Sequence, residues 1–381
     1  MKFKVLHIAS FIGNIGDNAN HEGFRKKLKE YIGYDFIFTE MEIRDFYFNT
    51  GKRSFDSDFI DEANKYDLVI FGGGNFFEIS FPRSKTGTTF DIDLDVLKNI
   101  KTKIFFNGVG FDPSKGAAVI EINKFESLID FIATDDRFFV TFRNDGSIID
   151  FKKIYSKKKY TINVVPDGGF FYKPKDTPSS ILDDSRKYIS INIAGDMLNL
   201  RFNEKLNSIS FNKFVDAFSE MLNIFLESYM DYDIIFTAHI FKDFYAINEI
   251  LNSLNDMMVR KRVRVAPYIQ GKGFGQIFNI YKNSELVIAN RFHANVCSIG
   301  MNIPTIGINN YPKIRKMYNE INLNERVIDV TNANFADKLL SEIISSIKSK
   351  TEIVKKYEKV NKVLENDIFK IYSELKKWIQ L

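Results

Sequence analysis

The sequence predicts an α/β fold with two similar halves, each a parallel sheet covered by helices. Short runs of β-branched and aromatic residues alternate with longer amphipathic segments, the pattern typical of such sheets. The chain has 381 residues, which is too long for one ordinary core. One stretch rich in proline and glycine, PDGGFFYKPKDTPSS at residues 166–180, interrupts the alternation, and we interpret it as a linker.

The first half is predicted to cover residues 1–172. Its strands are expected at residues 4–9, 67–71, 103–107, 131–134, 138–142 and 162–165, and its helices at 19–31 and 147–155. Each strand tends to end in Gly, Asn, Asp or Arg. Because α/β sheets bind their ligands at the carboxyl ends of strands, these ends are the first places to look for a site.

The second half is predicted to cover residues 173–345 and repeats the alternation. Strands are expected at residues 188–193, 233–238, 262–266, 286–289 and 305–308, and helices at 211–229, 243–255, 276–281 and 293–300. The chain is predicted to be helical from Phe335 to its end, with residues 346–381 as a tail. A basic amphipathic tail is compatible with an anionic membrane surface, but we favour a helix that packs back on the body.

Composition and charge narrow the class of protein. The net charge of +4, from 53 basic and 49 acidic residues, is too balanced for a nucleic-acid-binding protein, and basic runs at residues 157–159 and 260–262 are interpreted as solvated surface. The one cysteine, Cys297, excludes a disulfide within the chain, and the first residues lack the pattern of a secretory signal. We therefore expect a cytoplasmic protein. No apolar stretch is long enough to span a membrane, so any membrane contact is expected to be peripheral.

The first motif that suggests chemistry is GNIGDNA, residues 13–19, directly after the first predicted strand. Small residues here let the backbone approach a ligand, and the N–H groups of the following helix start can bind an anion or a polar group. The alternative is a tight turn in which Asp17 or Asn18 caps the helix.

The second motif is the glycine run Gly72 to Gly74, followed by Asn75, after the strand DLVIF. Three successive residues without a Cβ permit positive φ and close contact across a cleft. Neither this run nor the segment GKGFGQ at residues 271–276 has the ending of a phosphate-binding P-loop, so ATP chemistry has no support.

The third motif is NRFHAN at residues 290–295, between the strand LVIA and a predicted helix. An arginine fork at Arg291 can hold a carboxylate or a phosphate, and an imidazole at His293 can exchange a proton near neutral pH. Since both residues lie where a strand ends and a helix begins, we interpret them as functional. Cys297, one turn later, is interpreted as a core residue rather than a nucleophile.

Further cations follow other predicted strands: Arg143 after FFVTF, His239 after DIIFTA with Asp243 four residues later, and Lys313 after TIGI. Each alone is ambiguous, because a cation at a strand end often caps a carbonyl or pairs with a neighbouring acid. Together they predict a crevice for a polyanionic ligand. The alternating acids Asp91, Asp93 and Asp95 suit a divalent cation, but we favour a solvated strand or helix start. No metal site is predicted.

These motifs, in this order, resemble those of the polysaccharide pyruvyl transferases. The resemblance runs from about residue 5 to 320. One departure is Asn144, where the family commonly has Asp after the motif arginine. The matching segments are GNIGDNA at residues 13–19, FGGGN at 71–75, TFRNDGS at 141–147, VVPD at 164–167, TAH at 237–239 with Asp243, Gln276 with IY at 280–281, VIANRFHANVCSIGMNIPTIGI from Val287, and Tyr311 with Lys313.

The resemblance implies a GT-B-like fold, with two Rossmann-type domains whose parallel sheets face a central cleft. It also implies transfer of an enolpyruvyl unit from phosphoenolpyruvate to a sugar of a bacterial-type surface polysaccharide or its precursor, forming a pyruvate ketal. Phosphoenolpyruvate is then a co-substrate, and no cofactor is expected. The acceptor is a sugar or a lipid-linked oligosaccharide, which places the enzyme in the cytoplasm or peripherally at the inner face of the plasma membrane.

The resemblance assigns the candidate residues to roles. Arg143, Arg291 and His293 are the expected catalytic residues, and they bind the donor together with Lys313 and His239. The expected acceptor side is the glycine-rich loops of the first domain, with residues Asn14, Gly16, Asp17, Asn18, Gly73, Gly74 and Asn75.

Two other functions stay open from the sequence. A GT-B glycosyltransferase with a nucleotide-sugar donor needs nearly the same fold and cationic edge. An inactive glycan-binding module would keep the fold, although the presence of Arg143, Arg291 and His293 disfavours it.

Overall fold

The computed structural model describes residues 2–47, 51–156, 160–203 and 209–380, with Lys272 described by its backbone alone. The basic run at residues 157–159 lies outside these residues. The chain forms two compact units. The first contains the described residues up to Ile12, Phe24–Gly168 and the residues from Leu364, and the second contains Gly13–Gly23 and Gly169–Val363.

The first unit is built on a six-stranded parallel sheet with the order β2-β1-β3-β5-β7-β8. A second, two-stranded parallel sheet pairs β4 with β6. The strands are β1 (Lys2–Ala9), β2 (Asp35–Glu42), β3 (Leu68–Gly72), β4 (Phe77–Glu78), β5 (Ile104–Val109), β6 (Phe111–Asp112), β7 (Phe138–Arg143) and β8 (Asn163–Val165).

Helices cover this sheet and enclose a core rich in phenylalanine. Phe71, Phe90 and Phe106 pack ring against ring and are almost fully buried, as expected for strands that are covered on both faces. The helices are α1 (Ile15–Ile32), which begins in the second unit, α2 (Ser57–Ala63), α3 (Leu94–Asn99), α4 (Val119–Ile132) and α5 (Ser147–Ile154).

The second unit is built on another six-stranded parallel sheet, with the order β11-β10-β9-β12-β13-β14. β9, β10 and β12 are neighbours near its centre, and His239, Arg291 and His293 follow the carboxyl ends of β10 and β12. The strands are β9 (Lys187–Asn192), β10 (Tyr232–Thr237), β11 (Val263–Val265), β12 (Leu286–Ala289), β13 (Thr305–Asn309) and β14 (Val327–Asp329).

The helices of the second unit connect these strands and continue to the end of the chain. They are α6 (Leu198–Arg201), α7 (Phe211–Ser228), α8 (Asp243–Ser253), α9 (Asp256–Arg262), α10 (Phe274–Lys282), α11 (Phe292–Gly300), α12 (Pro312–Glu320), α13 (Phe335–Lys348) and α14 (Lys350–Gln380).

The apolar side of the last helix, α14, packs on protein. Its part in the second unit buries Tyr357, whose hydroxyl donates to the Thr305 carbonyl oxygen at 3.1 Å. Its part in the first unit buries Tyr372, whose hydroxyl donates to Asn107 Oδ1 at 3.2 Å. No helix within the described ranges combines the length and apolarity that a membrane span requires.

The predicted alternation is present in both units, with one error of type. Residues 131–134, predicted as a strand, lie at the end of α4 and in the turn after it. The segment FIAT at residues 131–134 has a preference for β-structure. The helix forms instead because Leu128, Ile129 and Ile132 are buried at helical spacing. The elements that were not predicted are β2, β4, β6, β14, α2, α3, α4, α6, α9 and α12. The sequence divided the chain at residues 172 and 345, whereas the compact units divide it as described above.

Candidate active site

Arg291 and His293 lie at the carboxyl end of β12, where α11 begins. Arg291 is the N-cap of α11, and its backbone N–H donates to Asn192 Oδ1 at 2.9 Å, across from the end of β9. Both side chains are buried, His293 with 3% of its surface exposed and Arg291 with 8%. The structure therefore brings together the two residues that the sequence selected for anion binding and proton transfer.

The Arg291 guanidinium is oriented by two aspartates. It donates through Nε and Nη2 to Asp243, the first residue of α8, and its Nη1 donates to Asp196 Oδ2 at 3.1 Å. Burial alone lowers the pKa of this guanidinium, but the ion pairs with Asp243 and Asp196 outweigh it, and the pKa is raised above its ordinary value. Arg291 is a permanent, fixed cation.

Asp243 is fully buried and connects three loops. Besides Arg291, it accepts the backbone N–H of His239 at 2.9 Å and that of Gly195 at 3.2 Å. The spacing of four residues between His239 and Asp243, noted in the sequence, is explained by this contact. Asp243 therefore positions Arg291 and the ends of β9 and β10 in one network.

The loop before α1 packs against His293. Asp17 Oδ1 lies 3.5 Å from His293 Nδ1, and the Ile15 N–H donates to the His239 carbonyl oxygen at 3.1 Å. Gly16 lies so close that a Cβ there would overlap the Cβ of His293 and come within 2.8 Å of its ring. Asp17, predicted for the acceptor, is thus the carboxylate next to the imidazole. Such a carboxylate fixes the orientation of a histidine ring.

The residue that caps α1 is neither of the two, Asp17 and Asn18, that the sequence analysis considered. Asn14 Oδ1 accepts the Gly16 N–H at 2.9 Å, and the Asp17 N–H donates to the Asn14 carbonyl oxygen at 3.1 Å. The capping side chain is therefore Asn14, not Asp17 or Asn18. Because Asn14 takes this role, the Asp17 side chain is available to His293.

We expect Gly16→Ala to lower the catalytic rate by about 100-fold, because the added Cβ displaces the His293 ring and a shift of about 1 Å costs that much. Gly275→Ala on α10 is the matched control, since its Cβ would meet no atom nearer than the Tyr172 hydroxyl at 3.6 Å. Steady-state rates and unfolding midpoints of both variants check the prediction. Equal rates in the two variants would contradict it.

His239 is fully buried beside this pair. Its Nε2 is 2.9 Å from the Tyr281 hydroxyl, which is 2.7 Å from Thr237 Oγ1. Its Nδ1 has no hydrogen-bond partner among the described residues. Burial, with the nearby charges of Arg291 and His293, lowers the pKa of His239 well below its ordinary value. His239 is therefore neutral around pH 7 and is a donor or acceptor of hydrogen bonds rather than a cation.

The lowered pKa of His239 predicts how stability depends on pH. Between that pKa and the ordinary value near 6.5, the unfolded chain binds a proton that the folded chain excludes, so the free energy of unfolding falls as the pH falls below about 6.5. His239 contributes at most about 1.4 kcal/mol per pH unit. His239→Gln is expected to flatten the dependence between pH 6.5 and 5, as measured by urea unfolding. A slope equal to the wild-type slope would contradict this assignment.

Arg201, which the sequence analysis did not select, joins the same network. Its Nη1 donates to Asn310 Oδ1 at 3.0 Å, and its Nη2 donates to Asp196 Oδ1 at 3.3 Å. Burial and the neighbouring charge of Arg291 lower the pKa of Arg201. Asp196 lies in the loop after β9, and Arg201 ends the one-turn helix α6 that follows this loop. The signal that was missed is their position beyond a strand end.

Arg143 lies in the first unit, at the end of β7, and is also held by two aspartates. Nε and Nη2 donate to Asp145 Oδ2 at 2.9 and 2.8 Å, and Nη1 donates to Asp167 Oδ2 at 3.4 Å. All three residues are buried. Asn144, the departure from the family pattern, accepts the Asp167 N–H on its Oδ1 at 2.9 Å, while its Nδ2 has no partner among the described residues.

The glycine run after β3 makes a tight passage in the first unit. Gly73 has φ 81°, and its N–H donates to the Asn107 carbonyl oxygen at 3.1 Å. A Cβ at Gly74 would come within 2.8 Å of the Phe76 ring. Asn75 follows, and its Nδ2 donates to Glu78 Oε2 at 3.2 Å. The run therefore places polar groups on closely packed backbone, as the sequence suggested.

The remaining candidates lie at element starts. Lys313 is in the first turn of α12, after β13, and is partly exposed, as is Asn18 on α1. Cys297 is fully buried on α11. Asp93 caps α3 by accepting the Asp95 N–H at 3.0 Å and pairs with Lys85, and within the described ranges no group of three or more metal-binding side chains is found.

Comparison with known families identifies the chain. The sequence model of the family described as polysaccharide pyruvyl transferase matches residues 14–311. The chain belongs to this family. The match begins at Asn14, directly before α1, and includes Arg143, Arg291 and His293. No curated protein sequence matches the chain.

Solved structures of low identity share the fold of this polysaccharide pyruvyl transferase family member. The putative UDP-N-acetylglucosamine 2-epimerase from Listeria monocytogenes is 14% identical, with a TM-score of 0.55 over 94% of this chain and 91% of that one. The S. aureus MnaA-UDP co-structure is 14% identical, with a TM-score of 0.54 over 93% and 90%. An α,α-trehalose-phosphate synthase (UDP-forming) from Burkholderia vietnamiensis is 8% identical, with a TM-score of 0.55 over 98% of both chains. The fold is therefore α/β and GT-B-like, with two Rossmann-type units.

Proposed function

We propose that this family member transfers an enolpyruvyl unit from phosphoenolpyruvate to a sugar and forms a pyruvate ketal. The observation that carries the proposal is the pairing of a fixed guanidinium, Arg291, with a buried imidazole, His293, that has the Asp17 carboxylate at its Nδ1. A dianionic enol ester needs a fixed cation to hold it and an acid to protonate it. Both groups start from the same strand end.

In the proposed donor site of the second unit, Arg291 binds the carboxylate or phosphate of phosphoenolpyruvate, with Lys313 as a further cation. The ion pairs of Arg291 with Asp243 and Asp196 hold the guanidinium in one orientation before the ligand arrives. A preorganised cation stabilises developing charge without reorganisation during the reaction. His239, neutral because of its lowered pKa, orients the donor through hydrogen bonds.

His293 is the proposed acid. It donates a proton to C3, so that the methylene group becomes a methyl group and C2 becomes oxocarbenium-like. The oxygen of a sugar hydroxyl then forms a bond to C2 and loses its proton. The bond between C2 and the phosphate oxygen breaks with its electron pair, phosphate leaves, and a second hydroxyl closes the ketal ring. The two reacting hydroxyl groups release two protons: one returns to His293 and the other leaves on the phosphate.

Two glycine-rich loops, residues 13–19 of the second unit and residues 72–75 of the first, are each assigned to acceptor binding. Asn18 and Asn75 supply amide groups for sugar hydroxyls, while Gly16, Gly73 and Gly74 let the backbone approach. The Asn14 oxygen caps α1 and Asp17 lies at His293, so these two act on the acceptor through the shape of the loop. The chemistry uses phosphoenolpyruvate as a co-substrate and needs no cofactor. A lipid-linked acceptor places the enzyme at the inner face of the plasma membrane.

The second candidate is a glycosyltransferase with a nucleotide-sugar donor. It is favoured by the fold shared with the epimerase and the UDP-forming synthase named above. A fixed cation such as Arg291 suits a diphosphate as well as an enol ester.

Donor assays separate the two candidates. The purified protein is incubated with a surface-glycan acceptor and either phosphoenolpyruvate or a panel of UDP-sugars. We expect the incubation with phosphoenolpyruvate to release inorganic phosphate and to give a product that is heavier than the acceptor by one pyruvate ketal. We expect the incubation with UDP-sugars to release no nucleotide. Release of UDP with transfer of a sugar would instead support the glycosyltransferase. Glycans from a strain that lacks this protein are expected to lose the ketal.

A further inference from the structure

The Asp196 carboxylate lies between two buried arginines of the second unit. Its Oδ2 accepts Arg291 Nη1 at 3.1 Å, and its Oδ1 lies 3.0 Å from Arg291 Nη2 and accepts Arg201 Nη2 at 3.3 Å. The two guanidinium groups thus share one carboxylate. An arginine pair of this kind is the usual arrangement for binding a phosphate or a carboxylate.

Each arginine also has an anchor that does not involve the Asp196 side chain. Arg291 is held by Asp243, and Arg201 is held by Asn310 Oδ1 at 3.0 Å and by the Asp196 carbonyl oxygen at 3.0 Å. Asn310 is itself fixed by Asn290, whose Nδ2 donates to Asn310 Oδ1 at 2.9 Å. The two guanidinium groups therefore keep their places when the Asp196 side chain moves.

Asp196 is the most accessible member of this group. Its side chain is 19% exposed, against 9% for Arg291, 6% for Arg201 and 0% for Asp243. Burial opposes its ionisation, but the charges of Arg291 and Arg201 outweigh it and lower the pKa of Asp196, so the carboxylate is an anion at neutral pH.

The backbone around Asp196 is held in an unusual shape. The next residue, Met197, has φ 51°, a left-handed conformation that is unfavourable for an L-residue with a side chain. On the other side, a Cβ at Gly195 would overlap the Lys242 carbonyl oxygen. With the backbone fixed on both sides, only rotation of the Asp196 side chain is needed to expose the arginine pair. Strain of this kind is concentrated at functional sites.

We propose that Asp196 is a built-in substitute for the ligand and that a phosphate or carboxylate group of a small anion replaces it between Arg201 and Arg291. The inference rests on the proposed function and adds to it a further donor-binding arginine, Arg201, and an exchange step. The incoming anion replaces one negative charge by another, so the arginines are never left buried without a counter-ion. The pair is also preorganised, which reduces the cost of binding.

Binding of inorganic phosphate and of phosphoenolpyruvate without acceptor tests the exchange by calorimetry. Asp196→Asn removes the competing carboxylate. We expect it to tighten the binding of both ligands by about 5-fold or more and to lower the unfolding midpoint of the unliganded protein. Asp231→Asn is the matched control. Asp231 lies directly before β10, at the amino end of the strand, and forms an exposed ion pair with Lys187. The control variant is expected to change neither affinity.

Arg201 is tested separately. Arg201→Gln is expected to weaken phosphate binding at least 10-fold. Arg201→Lys keeps the charge and takes the place of Arg201→Gln if that variant does not fold. It is expected to weaken phosphate binding at least 3-fold. A crystal structure with phosphate is expected to show the ion between Arg201 and Arg291 and the Asp196 side chain turned away. Weaker or unchanged binding in Asp196→Asn, unchanged binding in Arg201→Lys, or phosphate bound elsewhere with Asp196 in place would overturn the proposal.

These readouts separate the exchange from the proposed function. Phosphate exchange without turnover of phosphoenolpyruvate would refute the transfer reaction alone. Turnover of phosphoenolpyruvate together with weakened binding in Asp196→Asn would refute the exchange alone.

Discussion

His293→Ala is expected to lower kcat for transfer from phosphoenolpyruvate by about 10²- to 10⁴-fold, the range for loss of a general acid. The imidazole is buried and has the Asp17 carboxylate 3.5 Å from Nδ1, so we assign the proton transfer to the other ring nitrogen, Nε2. The variant keeps the Cβ against which Gly16 packs, so the loop before α1 is retained. Steady-state kinetics together with circular dichroism check the result.

Cys297→Ala is the matched control for His293→Ala. Cys297 lies one turn further along α11 and is fully buried, so its variant also removes side-chain atoms from the same helix. We expect it to retain most of the activity, because we assign Cys297 to the core. An unchanged rate in His293→Ala would refute the role of the imidazole, and no turnover in the wild type with intact glycan binding would favour an inactive binding module.

The sequence placed correctly those candidate residues that lie at strand ends. Arg143, His239 and Arg291 each follow a run of β-branched and aromatic residues, and that local pattern is enough to place them at the carboxyl edge of a sheet. For the same reason the elements of the central strands were predicted within a few residues. β2 was missed because it is an edge strand with charged, half-exposed positions and carries little of the apolar signal.

The partners of these residues depend on contacts between distant parts of the chain. Asp17 meets His293, and Asp196 meets Arg291, although neither pair is close in sequence. Nothing in the residue types distinguishes an Asp that caps a helix from one that faces a histidine, so Asp17 was assigned to the acceptor. Arg201 was missed because the helix that carries it, α6, is a single turn with no apolar repeat.

Arg291→Met is expected to lower the free energy of unfolding by about 3–5 kcal/mol, because it leaves a buried carboxylate without its cation. The Asp243 carboxylate is fully buried and accepts hydrogen bonds from the Arg291 guanidinium, so it loses its cation in this variant. Asp196 keeps its ion pair with Arg201. Arg291→Lys keeps a charge without the fork, so we expect a smaller loss of stability but a clear loss of affinity for phosphoenolpyruvate. Urea unfolding and calorimetric titration separate the two effects.

Arg260→Met is the control for the Arg291 variants. Arg260 pairs with Asp256 on α9, but the two side chains are 70% and 72% exposed, and such surface pairs contribute little to stability. Both substitutions remove an arginine side chain from the second unit. They differ in the aspartate that pairs with the arginine, because Asp243 is buried and Asp256 is exposed. If Arg291→Met lost no more stability than Arg260→Met, Asp243 would not depend on Arg291 for its charge balance. The fixed cation on which the proposed donor site rests would then lose its physical basis.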